Sequence, residues 1–135
     1  MPKRRRGSRS AFRSPVAHVP FERLVERALA GIPDPYRAAL DEVAIVIDDE
    51  PTPQQRRDNE LADGEMLYGL YEGVPRTEYG ADWAAQPNRI TLFRLVLEED
   101  FPDPAELAEE VRITVIHELA HHLGIDDDRL DELGV

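Results

Sequence analysis

Three of the protein's four histidines, His117, His121 and His122, fall within six positions late in the chain. The stretch reads Val111-Arg112-Ile113-Thr114-Val115-Ile116-His117-Glu118-Leu119-Ala120-His121-His122-Leu123-Gly124-Ile125-Asp126-Asp127-Asp128 and contains H-E-x-x-H from His117 to His121. On a helix, which turns about 100° per residue, these two side chains stand ~40° apart and one turn apart along the axis. Both imidazoles can then reach one metal ion. Glu118 lies about 100° round from His117, at the side of such a site. It is better placed to take a proton from water than to be a primary ligand, which is the division of labour in H-E-x-x-H hydrolases. Zinc is the expected ion, because it lowers the pKa of bound water to about 7 and lets a neighbouring carboxylate act as general base.

Two histidines do not complete a zinc site, which usually takes three protein ligands. Gly124, three residues after His121, suits a left-handed helix cap and lets the chain turn back. Asp127 follows three residues later, so the motif extends to H-E-x-x-H-x-x-G-x-x-D. Asp127 is the expected third ligand, with Asp126 and Asp128 as rivals. Two His and a carboxylate also suit iron(II) or manganese. His122 points about 140° away from His117 and falls with Val111, Val115 and Leu119, so it is read as a buried or supporting histidine.

These residues need a helix of about 20 residues to position them, and the sequence marks its start. Asp103-Pro104-Ala105-Glu106 supplies an N-cap, a Pro at N1 and a Glu at N3. Ala108, Val111, Val115, Leu119 and Leu123 form an apolar stripe, with the metal ligands expected on the opposite side.

Residues 90–94 and 111–127, with Leu67-Tyr68-Gly69-Leu70-Tyr71-Glu72-Gly73-Val74-Pro75 upstream, resemble the minimal-zincin family of small bacterial zincin-like metallopeptidases. The resemblance covers roughly residues 20–135. It implies an α+β, zincin-like fold, in which a small mixed sheet packs on the long H-E-x-x-H helix with further helices. It also implies one Zn2+ held by His117, His121 and Asp127, with Glu118 as base. In zincin-like folds an edge strand lies above the metal helix and pairs with an extended peptide by β-augmentation. By resemblance, residues 89–96 or 67–71 would be that strand. Two features depart from the metzincin pattern. The only methionines, Met1 and Met66, lie upstream, so there is no methionine turn after the third ligand. Few residues follow Asp127 to build the lower wall of a cleft.

Elsewhere the sequence is plainer. At 135 residues the chain suits one domain, placed at residues 19–135. Residues 1–14 hold six of the sixteen Lys and Arg and no acid; ten remain against 28 acids, so the rest carries −18. Residues 1–18 are therefore expected to be a disordered basic tail without the apolar core of a secretion signal. The tail's simplest role is solvation against the acidic body; its sharper one is weak contact with nucleic acid or another anionic surface. The absence of cysteine points to a reducing compartment, the cytoplasm, and no apolar run is long enough for a membrane span.

Residues 20–30 read as an amphipathic helix on Phe21, Leu24, Val25, Ala28 and Leu29, and a short helix is expected over 36–40. Residues 43–47 read as a buried strand, 51–64 as an exposed mobile loop, 66–71 as a second strand and 89–96 as a third. Residues 76–88 form a long loop bearing Tyr79 and Trp83. A last helical turn is expected over 129–133, with Leu130 and Leu133 packing.

The function this supports is zinc-dependent hydrolysis of peptide bonds in a peptide or protein substrate held extended. Tyr71, Tyr79 and Arg94 are the candidate oxyanion donors. One alternative is a non-catalytic module in which zinc holds the C-terminal loop on the helix. Another is a metal-dependent endoribonuclease, since H-x3-H-x5-D resembles an rRNA-maturation family; Glu118 and the acidic body argue against it. Mass spectrometry of protein purified without added metal should find near-stoichiometric zinc, lost in both His121→Ala and Asp127→Ala. Absence of zinc, with no uptake when it is supplied, would remove the metal site.

Overall fold

A computed structural model describes residues 3–5, 20–73 and 88–125. Asp126, Asp127, Asp128, Tyr79, Trp83, Leu130 and Leu133 lie outside the described residues. Strand β1 (Lys3–Arg5) is followed by helix α1 (Phe21–Ala30), helix α2 (Tyr36–Ala39) and a 3-10 turn, Leu40–Glu42. Then come β2 (Ala44–Asp48), α3 (Pro53–Asp58), β3 (Glu65–Leu67), β4 (Gly69–Glu72), β5 (Arg89–Phe93), α4 (Arg94–Asp100) and α5 (Pro104–His122).

The main sheet is small and mixed, in the order β2-β5-β4, with β2 parallel and β4 antiparallel to β5. Central β5 buries Ile90, Thr91, Leu92 and Phe93 because both of its faces and both of its edges are covered. Residues 89–93 therefore cannot be the edge strand; of the two stretches that resemblance offered, only β4 has an outer edge. β2 is also an edge strand and only half-buried, against the expectation of a buried one.

Helix α5 lies against the sheet and α1. Its start is as the sequence marks it: Asp103 Oδ2 accepts the Glu106 amide at 3.0 Å, with Pro104 following. It ends at Gly124, whose φ of 81° is the left-handed conformation. The Ile125 amide donates to Ala120 O at 2.8 Å and the Gly124 amide to His121 O at 3.0 Å, the paired bonds of a Schellman cap. Val111, Val115 and Leu119 are wholly buried, and Phe21, Leu24, Val25 and Ala28 of α1 pack into the same cluster.

Four elements differ from the sequence reading. The stretch read as a loop holds α3, started by a capping box in which Thr52 Oγ1 accepts the Gln55 amide and Gln55 Oε1 accepts that of Thr52. The expected third strand stops at Phe93 and continues as α4, where Arg94 pairs with Glu98 at i,i+4 and Val96 and Leu97 turn inward. Leu95-Val96-Leu97-Glu98 no longer alternates, and Leu and Glu favour helix. The second strand is broken at Tyr68 into β3 and β4. Within the tail expected to be disordered, Lys3–Arg5 pairs antiparallel with β3, Lys3 opposite Leu67.

The contact that sets α5 on the sheet is at Gly69. A Cβ placed there would come within 2.6 Å of Thr114 Cγ2 and 3.3 Å of Thr91 O. Glycine in a strand commonly marks close approach of this kind. Gly69→Ala should therefore cost about 1–3 kcal/mol through overpacking, and adding Thr114→Ser, which deletes the obstructing methyl, should restore part of it. Urea unfolding of the two variants and the parent checks both effects.

Candidate metal and proton-transfer site

The two motif histidines are placed as their spacing demands. His117 and His121 sit one turn apart on α5, both half-exposed, with 25% of the His121 side chain open to solvent. Most of the rest of the helix circumference is buried.

Glu118 is not at the exposed side of the site. Its side chain is wholly buried (0% exposed), between α5 and β4. Oε1 accepts the backbone amide of Tyr71 at 2.8 Å and lies 3.7 Å from His121 Nδ1. Oε2 is buried with no hydrogen-bond partner. The reason is packing: Thr114 and Glu118, four residues apart, share one face of α5, and Gly69 and Tyr71, two apart, share one face of β4. Close approach at Gly69 brings Glu118 to the Tyr71 amide. A glycine inside the strand pattern Tyr68-Gly69-Leu70-Tyr71 was the available sign that the helix would come this near.

His122 is also wholly buried, as its angle on the helix foretold. Its Nε2 stands 2.7 Å from Glu42 Oε1 and its Nδ1 3.2 Å from the Tyr71 hydroxyl. That hydroxyl is 2.8 Å from Asn88 Oδ1. Glu42 and Asn88 carried no sequence signal, because both come from connecting segments far from the motif. Of the proposed oxyanion donors, Tyr71 is engaged by His122 and Asn88. Arg94 is engaged by Asp49 at 2.6 Å and Glu98 at 3.0 Å. Its guanidinium is held charged chiefly by the Asp49 hydrogen bond.

Among the described residues no group of three or more His, Asp or Glu stands ready to hold a metal ion. The donor set still fits one. Two half-exposed imidazoles project one turn apart, and Glu118, whose Oε1 lies 3.7 Å from His121 Nδ1, keeps its other oxygen buried without a hydrogen-bond partner. A buried, unpaired polar atom is costly, and sites that meet water or a cation are where such atoms are retained. The described residues supply no third ligand beside the two histidines.

The family model for zincin-like metallopeptidases matches residues 40–135, most of the chain and all of the site just described. The protein belongs to that family. A search of curated proteins gives no match.

One charge two turns before His117 also reads on the site. Burial raises the Glu110 carboxyl above its ordinary 4.5, the negative charges of Glu109 and Asp100 add to the rise, and His117 opposes it. The folded protein thus holds this proton more tightly than the unfolded chain. The resulting stability is full below the ordinary carboxylate value and is lost as pH rises through the raised one. Melting of the metal-free protein should show Glu110→Gln more stable than the parent above the carboxylate range, with the gap closing on acidification.

Proposed function

We propose that the protein is a zinc-dependent peptidase in which Glu118 is the general base. The observation that carries this reading is the state of the Glu118 carboxylate: one oxygen fixed by the Tyr71 amide and 3.7 Å from His121 Nδ1, the other buried and unpartnered. His117 and His121 would hold the ion, with Asp127 as the third ligand. When bound, zinc supplies Lewis acidity toward water and a peptide carbonyl.

The remaining work falls to the chain. Oε2 of Glu118 receives the proton of the attacking water and returns it to the departing amine. Oε1 stays on the Tyr71 amide, so the carboxylate does not swing away between the two transfers. Full burial of Glu118 keeps bulk water from competing for that oxygen. The proposed substrate is a peptide in extended conformation, since β4 is an edge strand. It has to share that edge with Glu118, which already holds the Tyr71 amide. The proposed setting is the cytoplasm; no helix among the described residues is long and apolar enough to cross a membrane.

A second reading draws on the same observation. A buried carboxylate bonded to a strand amide is also what a structural brace looks like, and a zinc-stabilised binding module would need no more. Glu118→Gln separates the two, because the amide side chain can still accept from Tyr71 but cannot take a proton. With a peptide library read by mass spectrometry, the peptidase reading expects zinc content and melting temperature unchanged and cleavage slowed by about 10²–10⁴-fold. Equal cleavage by parent and variant would dismiss Glu118 as base.

A further inference from the structure

Two interleaved pairs share the end of α5. His117 and His121 face outward, while Glu118 and His122, also one turn apart, face inward. Both members of the inner pair end on one residue. Glu118 takes the amide of Tyr71 and His122 meets its hydroxyl. The Tyr71 and His122 rings lie 5.7 Å apart between centroids and are tilted by 55°. Glu42, at the end of the 3-10 turn, holds the far nitrogen of His122 at 2.7 Å. Both nitrogens of His122 are therefore engaged inside the protein.

A phenylalanine or leucine would fill the space of His122 at lower desolvation cost, since buried polar groups seldom add net stability. In some proteins what they add is uniqueness of arrangement. A strand that slips by one residue turns every side chain to the opposite face. Here a slip of β4 against α5 would break the hydroxyl contact and the amide contact together. One hydrogen bond alone leaves Glu118 free to follow any movement of an edge strand; two attachments on the same tyrosine fix the strand to the helix that carries the base.

We propose that His122, held by Glu42, is a positioning residue for Glu118 that acts through Tyr71. The clamp itself is a statement about structure; its catalytic meaning rests on the reading of Glu118 as base.

The test is amide hydrogen exchange by NMR on the full-length, metal-free protein, comparing the parent with His122→Phe, Tyr71→Phe and His122→Gln. The Tyr71 amide reports the clamp, and the Thr91 amide in β5 reports general loosening. Loss of the His122–hydroxyl bond should speed exchange at Tyr71 by about tenfold in His122→Phe, and by at least as much in Tyr71→Phe, which also loses the Asn88 contact, with Thr91 unchanged and His122→Gln recovering part of the protection. In the peptide assay the same variants should lose kcat with KM unaltered. An unchanged Tyr71 amide, or equal acceleration at Thr91, would overturn the proposal and leave His122 as core packing. If His122→Phe does not fold, Tyr71→Phe carries the test, because it keeps both the ring and the amide. If exchange responds as expected but Glu118→Gln cleaves as well as the parent, the clamp stands and the general-base reading falls.

Discussion

A carboxylate sealed between a helix and a strand is the constraint around which this protein is arranged. Removing an ionised group from water costs several kcal/mol even after relaxation, unless hydrogen bonds replace the lost hydration. Glu118 receives one such bond, from the Tyr71 amide, to one of its two oxygens. That bond exists only because α5 lies close to β4, and α5 lies close only because position 69 has no side chain to keep Thr114 away. Glycine, threonine, tyrosine and glutamate thus form a single chain of dependence, from backbone sterics to the burial of a carboxylate.

The late helix serves two faces at once, and this explains its unusual make-up. It carries a glutamate and a histidine among its fully buried residues, so its apolar and polar positions do not separate cleanly around the axis. In an ordinary surface helix they would. The outward pair supplies nitrogen donors and the inward pair anchors the strand. The same i,i+4 spacing does both jobs, displaced by one residue. The adjacent histidines His121 and His122 are consequently unlike in role, one half-open to solvent and one sealed.

Much of this was legible in the sequence, for local reasons. The Asp103-Pro104 start, the Gly124 stop and the H-E-x-x-H spacing are rules of helix geometry that act within a few residues, and the structure obeys them. The amphipathic α1 was equally plain. Other features are also written locally: Thr52-Pro53-Gln54-Gln55 spells a capping box, and the loss of alternation after Phe93 announces α4. The burial of Glu118 was of another kind. The helix pattern places it at the edge of the outer face, and only its packing against β4, set by a residue 49 positions earlier, decides that it turns inward. The same holds for Glu42, which meets His122 across 80 residues. Contacts over such separations are products of topology, and no short window of sequence contains them.

The position of α5 in the chain has a consequence for how the protein comes into being. Synthesis runs from the N-terminus, and β2, β3, β4 and β5 precede α5. Until α5 leaves the ribosome, α1 lacks the helix it packs against and the outer edge of β4 has no Glu118 to cover it. The nascent chain therefore exposes a bare strand edge and an unsatisfied apolar face, the features that chaperones bind and that invite aggregation. Maturation of the site and closure of the core are then one event, so the chain acquires its paired histidines, its buried carboxylate and its closed core together.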